Sequence, residues 1–163
     1  MKRSPAASVD SAAAPVHSPA APVHSPAAPA HSPAASVREF HLAFGLDART
    51  IPTEVPADLA AHRQELLAEE VAEVAEVAVD GPLDKLAHEL ADVVYVAYGT
   101  ALVHGIDLDA VIAEIHRSNM TKLGPDGEAS RRADGKVLKG EHYRAPDVSA
   151  VLRSQGWPDR SGD

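Results

Sequence analysis

Four acidic residues are spaced so that together they could hold a metal ion. Glu70 and Glu73 form one pair, Glu89 and Asp92 a second, and both pairs have i,i+3 spacing. In a helix this spacing places the two side chains of a pair on one face. Four converging carboxylates repel one another unless cations compensate their charge, and oxygen donors suit hard divalent ions. The pattern therefore predicts a metal site, with Mg²⁺ as the leading occupant and Mn²⁺ as a substitute.

On a helical wheel, both pairs lie toward the apolar sides of their helices. Glu70 falls inside the apolar arc of the second predicted helix and Glu73 at its border, whereas Glu65 points away. Glu89 and Asp92 take matching positions on the third predicted helix. A single glutamate of this kind is better interpreted as decoration of a solvated Ala/Val/Glu helix. Two pairs at matching positions favour a metal site, because a partly buried carboxylate needs a cation or hydrogen bonds.

The elements that must position these acids predict an all-α fold, a four-to-five-helix bundle. Glycine, proline and aspartate mark the helix ends, and Asp107 is a good N-cap. In the first helix, Val37, Phe40, Leu42 and Phe44 suggest an apolar face. The predicted helices run over about 37–45, 56–79, 83–104 and 108–120, with a small hairpin near 134–135 and a short helical option at 148–153.

The fourth predicted helix carries two polar residues at the end of its apolar stripe. The stripe runs through Leu108, Ile112 and Ile115 and continues to Asn119 and Lys122. An amide and an ammonium group at the end of a buried stripe suit contacts to phosphate or sugar. A frayed helix end that turns into solvent is the alternative.

The N-terminal segment is a low-complexity repeat. AAPVHSP occurs twice and AAPAHSP once between residues 13 and 33. Its prolines disfavour a regular helix, and its few large apolar residues cannot offset the entropy of ordering. We expect residues 1–36 to form a disordered tail, 37–146 the folded domain and 147–163 a polar C-terminal tail.

Composition excludes several classes of site and partner. The chain has no cysteine, so it cannot form disulfides or a cysteine-type zinc site. This fits a cytoplasmic protein. The net charge is −9, and since Lys2 and Arg3 outweigh Asp10 by one charge up to Ser36, the remainder carries −10. An acidic body argues against nucleic-acid or membrane partners. A basic cluster after residue 121 instead suits a ligand that carries phosphates.

Several motifs together resemble a known superfamily. EEVAE at 69–73 followed by ELAD at 89–92 resembles the EExxE…ExxD signature of the all-α nucleoside-triphosphate pyrophosphatases. That superfamily includes MazG-like proteins, dimeric dUTPases and phosphoribosyl-ATP pyrophosphohydrolases. HRSNMTK at 116–122 is similar to its SNxxK element, and RADGKVLKG at 132–140 to a loop of its MazG-like and phosphoribosyl-ATP branches. The resemblance covers about residues 37–146.

The resemblance implies a reaction and roles for particular residues. It implies Mg²⁺-dependent hydrolysis of a nucleoside triphosphate to the monophosphate and pyrophosphate, by a homodimer or homotetramer whose subunits complete one another's sites. The four paired acids would be metal ligands, and Glu69 would orient or deprotonate the attacking water. Asn119 and Lys122 would contact phosphate or sugar. Lys136 and Lys139 would contact the substrate's phosphates.

Other interpretations stay open at this point. Phosphoribosyl-ATP pyrophosphohydrolase of histidine biosynthesis is the alternative to a housecleaning enzyme of the nucleotide pool, for which dUTP is one candidate substrate. A helical interaction module with a solvated acidic face is the non-enzyme alternative. A ferritin-like di-iron bundle needs Glu-x-x-His pairs, which the predicted helices lack. HELAD at 88–92 differs from the zinc-protease HExxH because Asp92 replaces the second histidine.

Overall fold

A computed structural model describes residues 32–158 of the chain. The all-α prediction is confirmed: the described residues form five helices and no strand. Two isolated antiparallel bridges, Leu123 to Ala129 and Arg131 to Val137, take the place of the predicted hairpin in the loop before the last helix. The helices are α1 (Pro33–Ala43), α2 (Ala57–Val77), α3 (Leu83–His104), α4 (Leu108–Met120) and α5 (Val148–Ser154).

Helix α1 begins four residues earlier than the expected start at Val37. The Ser32 side chain caps it by accepting a hydrogen bond of 3.2 Å from the amide of Ala35. Pro33 occupies the first helical position, where its missing N–H costs nothing. Residues 32–36, assigned to the tail from their composition, therefore belong to the folded part. The rest of the predicted tail, residues 1–31, lies outside the described residues.

The inward face of α1 differs from the predicted apolar face. Val37 and His41, one turn apart, are buried, whereas Leu42 and Phe44 are exposed. The Nδ1 atom of His41 donates a hydrogen bond of 2.6 Å to the carbonyl oxygen of Asp47, and this bond fixes the orientation of the ring. A histidine thus lies on the buried face of α1, where the sequence pattern predicts apolar side chains.

Helices α2 and α3 form an antiparallel pair, and α1 packs on α3. The turn between the two helices includes Gly81 and Pro82, as the sequence predicts. Arg63 of α2 reaches across to α3: its Nη2 donates to the carbonyl of Val96 at 3.0 Å and its Nε to Thr100 Oγ1 at 3.2 Å. This bridge sets the register in which the acids of the two helices meet.

A sharp turn separates α3 from α4. Gly105 ends α3 with a left-handed φ of 73°, and Asp107 caps α4 by accepting from the amide of Ala110. The buried Tyr98 hydroxyl donates to Asp109 at 2.6 Å, and this hydrogen bond raises the pKa of Tyr98 to about 12. The chain bends by 113° between these two helices. Within residues 32–158 no single helix could span a membrane, although this bent pair passes the same test of length and composition.

Because of this turn, the stripe of α4 is not buried as predicted. Ile112 is 48% exposed and Ile115 39% exposed, and α4 packs on α5 instead. Apolar side chains are also exposed on α2 and α3, namely Val71, Leu90 and Val94. The described residues accordingly bury few large side chains against one another.

One carboxylate joins α4 to the segment before α5, together with the hydrogen bond that Ser118 Oγ donates to the carbonyl oxygen of Arg144 at 2.8 Å. Glu114 accepts from Arg117 Nε and Nη2, both at 2.7 Å, and from the amide of Asp147 at 2.7 Å. The hydrogen bond from Arg117, then that from Asp147, lowers the pKa of Glu114 from 4.5 to about 2.

We predict that Glu114→Gln weakens the dependence of stability on acid pH. A carboxyl whose pKa falls on folding stabilises the protein above its unfolded-state pKa of 4.5, and this contribution is lost as the pH falls toward 2. The free energy of unfolding in urea, measured between about pH 6 and pH 3, should therefore fall less steeply in the variant. Glu65→Gln, which removes an exposed carboxylate of α2, is the control. Equal slopes in all three proteins would contradict the prediction.

Candidate active site

The α2–α3 pair brings three of the predicted metal ligands together. Each of Glu70, Glu73 and Glu89 offers a carboxylate oxygen, and these oxygens lie within 4.8 Å of one another. Glu70 and Glu89 are half-buried and Glu73 is exposed. The i,i+3 spacing places the α2 pair on one face, and the packing of α3 places Glu89 opposite them. We call this set the glutamate cluster.

Asp92 belongs to a second group that shares Glu89. His88, Glu89 and Asp92 each offer one ligand atom, and these atoms also lie within 4.8 Å of one another. His88 Nε2 is 3.1 Å from Asp92 Oδ2, and His88 Nδ1 is 3.8 Å from Glu89 Oε1. The four predicted ligands therefore lie in two adjoining groups, with Glu89 common to both. We call this second set the His88 group.

The glutamate cluster carries uncompensated negative charge. A hydrogen bond with Glu89, followed by the charge of Glu70, raises the pKa of Glu73. Among residues 32–158, no lysine or arginine forms an ion pair with any acid of the two groups. Several oxygen donors without a basic partner suit a hard divalent cation. The chemistry of this donor set therefore fits Mg²⁺ or Mn²⁺.

A cleft of about 310 Å³ opens beside these acids. Glu70 and Asp92 lie in its wall, and the rings of Phe40 and Tyr95 meet edge to face at its side with centroids 5.7 Å apart. An aromatic wall next to carboxylates can accommodate a planar ring whose charged substituents extend toward the acids. The remaining lining comes from α1, α2, α3 and the loop after α1.

The floor of the cleft is polar and was not predicted from the sequence. His41 and Arg63 line it beside Gly99, where an added Cβ would lie 2.9 Å from His41 Nε2 and 2.8 Å from Arg63 Nη2. His41 donates from Nδ1, which leaves Nε2 as an acceptor in the neutral ring. Burial lowers the pKa of Arg63. Arginine nonetheless stays charged in proteins, so the floor offers a fixed cation.

A sequence signal for Arg63 and Gly99 existed in their spacing. Arg63 precedes Glu70 by seven residues, and Gly99 follows Asp92 by seven, which is about two helical turns. Each therefore shares a helix face with a predicted ligand. His41 shares a helix face with Val37, one turn earlier, but the sequence carries no signal that a histidine there is buried.

The other predicted residues lie outside both groups and outside the cleft. Glu69 is exposed on α2. Asn119 is exposed in the last turn of α4, and Lys136 is exposed in the loop after it. Lys122 lines a separate cavity of about 330 Å³ in that loop, and Lys139 stacks on Tyr143 with Nζ 4.5 Å from the ring centre. In the part of the chain that the structure describes, no hydrogen bond or ion pair joins these cations to the clustered acids.

Comparison with known families agrees with this architecture. The model of the phosphoribosyl-ATP pyrophosphohydrolase family matches residues 37–119, which is 83 of the 163 residues. The chain belongs to this family. The match begins within α1 and ends in the last turn of α4; it includes all the clustered acids and Asn119 and ends before Lys122, Lys136 and Lys139. No curated protein matches the chain.

Family membership confirms the predicted resemblance and the general reaction. The phosphoribosyl-ATP pyrophosphohydrolase family lies within the all-α nucleoside-triphosphate pyrophosphatases, which the acidic motifs indicated. It supports a hydrolase that acts on a pyrophosphate bond.

Proposed function

We propose that the protein is a Mg²⁺-dependent pyrophosphohydrolase that cleaves a nucleoside or deoxynucleoside triphosphate to the monophosphate and pyrophosphate. The observation that carries the proposal is the convergence of Glu70, Glu73 and Glu89 within 4.8 Å in a chain of a pyrophosphohydrolase family. A housecleaning role in the nucleotide pool, with dUTP among the substrates, is the proposed biological setting.

The acids and the cleft would bind different components of the complex. Glu70, Glu73, Glu89 and Asp92 would hold the divalent cation. When bound, the cation supplies positive charge that binds phosphate oxygens and stabilises the leaving pyrophosphate. The aromatic wall of the cleft would hold the nucleoside.

Glu69 is proposed to orient or deprotonate the attacking water. Its position next to Glu70 and its exposure to solvent support this role, because the nucleophile enters from solvent. Asn119, Lys122, Lys136 and Lys139 are proposed to contact sugar and phosphates. Because they lie on α4 and in the loop after it, we propose that they contact a substrate that is bound at the acids of a neighbouring subunit.

The active unit is proposed to be a homodimer or homotetramer. Apolar side chains exposed on α2, α3 and α4 support this, because a monomer would leave Val71, Leu90, Val94 and Ile112 in water. Molar mass measured by light scattering at several concentrations tests it. A monomer at every concentration would contradict both the oligomer and the shared site.

Phosphoribosyl-ATP is the second candidate substrate, and the family match favours it. Both candidates present a triphosphate group to the acids and differ in the nucleoside part, to which phosphoribosyl-ATP adds a phosphoribosyl group. The purified protein should be incubated with Mg²⁺ and a panel that contains canonical and deoxy nucleoside triphosphates, dUTP and phosphoribosyl-ATP, and the products resolved. Monophosphate plus pyrophosphate supports the proposed reaction and ranks the substrates. Diphosphate plus orthophosphate would mean that the wrong bond had been assigned.

We predict that millimolar Mg²⁺ stabilises the folded protein. A ligand that binds only the folded state raises the unfolding temperature, and a hundredfold excess over Kd adds about 2.7 kcal/mol. Thermal unfolding with and without Mg²⁺, at constant ionic strength set with KCl, measures the effect. An acidic interaction module without a metal site would respond to Mg²⁺ no more than to the matched salt.

A further inference from the structure

His88 is a potential metal ligand that the proposed function leaves unused. It directly precedes Glu89 on α3 and lies one turn before Asp92. Its side chain is 64% exposed, yet it contacts both of these acids rather than extending into solvent. An imidazole beside two carboxylates makes a different donor set from the all-oxygen glutamate cluster.

The distances within the His88 group suit coordination of one ion. Two ligands at right angles around an ion at about 2.1 Å lie about 3.0 Å apart. His88 Nε2 and Asp92 Oδ2 are 3.1 Å apart, so both atoms can contact one ion without moving apart. Residues at i and i+4 on a helix also form a common metal-binding pair, as the two histidines of HExxH illustrate.

Glu89 connects this group to the glutamate cluster. It offers an oxygen to both sets, and its side chain is only 12% exposed, so it is held between them. A carboxylate has two oxygens and can bind one ion with each. Two neighbouring ions would then share Glu89, one with oxygen ligands only and one with a nitrogen ligand.

We propose that His88 is the nitrogen ligand of a second metal site, formed with Glu89 and Asp92 next to the site in the glutamate cluster. Imidazole binds first-row transition ions better than Mg²⁺. Of the two ions considered for this centre, the second site therefore favours Mn²⁺ over Mg²⁺. This inference rests on the proposed function and divides its four metal-ligating acids between two ions: Glu70 and Glu73 bind the first, Asp92 binds the second, and Glu89 binds both.

The competing explanation is an ordinary surface contact between His88 and Asp92. Such i,i+4 pairs contribute only a few tenths of a kcal/mol and hold no metal. The two explanations differ in one measurable property, which is whether a nitrogen atom from His88 binds the ion.

The test is the electron spin-echo modulation of Mn²⁺ added to the full-length protein at two equivalents. Coupling to ¹⁴N should be present in the wild type and absent in His88→Gln, which keeps the size and polarity of the side chain. His62→Gln removes an exposed histidine of α2 and is the matched control that should keep the coupling. The Kd for Mn²⁺ should rise about tenfold or more in His88→Gln, while that for Mg²⁺ changes by less than about threefold.

Two results would overturn the inference. Nitrogen coupling that persists in His88→Gln would come from another histidine, and its absence in the saturated wild type would leave the ion with oxygen ligands only. The proposed reaction is judged separately by pyrophosphate release. Nitrogen coupling without turnover of any substrate would refute the reaction and keep the site, whereas turnover without coupling would do the reverse.

Discussion

Replacement of Glu70 by glutamine is expected to abolish metal-dependent pyrophosphate release while the helices stay folded. The amide keeps the shape of the half-buried side chain but removes a charge from the glutamate cluster. We expect kcat/KM to fall by at least about a hundredfold, as for loss of one preorganised charge-stabilising group. Circular dichroism should be unchanged, because the charge of Glu70 opposes ionisation of Glu73 and its removal relieves repulsion.

The control for this prediction is Glu65→Gln on the same helix. Glu65 is exposed and lies outside both metal-ligand groups, so the substitution removes the same charge without touching the site. Its activity should equal that of the wild type. Full activity in Glu70→Gln would refute the assignment of the glutamate cluster as the metal site.

Replacement of Gly105 by alanine is expected to cause the largest loss of stability. Gly105 ends α3 at φ 73°, and an added Cβ would lie 2.1 Å from the carbonyl oxygen of Ile51. Left-handed backbone costs about 1–2 kcal/mol for a residue with a Cβ. Overpacking against fixed backbone adds about 1–3 kcal/mol. We expect the free energy of unfolding in urea to fall by about 3 kcal/mol or more.

Gly45→Ala separates the two causes. Gly45 follows the end of α1 with a similar φ of 67°, and an added Cβ there meets nothing within 4 Å. The free energy of unfolding of this variant should fall only by the cost of the left-handed backbone, about 1–2 kcal/mol. Equal losses at the two positions would contradict the prediction, because they would show that the Ile51 backbone moves away from the added Cβ at no cost in stability.

The acids and the helices were predictable because they depend on local spacing. Glu70 and Glu73 share a face in any helix that contains both. Asp107 caps α4 by accepting a hydrogen bond from the amide of Ala110, only three residues later. The limits of α3 were predicted without error because Pro82 and Gly105 end the helical path at each side. These features need no knowledge of the tertiary structure.

Features that depend on contacts between distant segments were not predictable. The apolar stripe of α4 was expected to be buried, but the 113° turn directs it away from α3. The period of a stripe shows that a face is apolar and does not show which surface covers it. Likewise, the burial of His41 depends on its contacts with Asp47 and Gly99. His41 lines the cleft only because α1 packs on α3.

The cap of α1 also bears on how the repeat can change in length. Every copy of the repeat ends in Ser-Pro, and Ser32–Pro33, the end of the last copy, starts the helix. The next copy would continue with Ala-Ala-Pro, but the chain has Ser36, whose amide donates the first helical hydrogen bond to Ser32. Gain or loss of a whole seven-residue copy by replication slippage therefore leaves the same Ser-Pro-Ala-Ala-Ser in front of Val37. The repeat can therefore change in length without altering the sequence that starts α1.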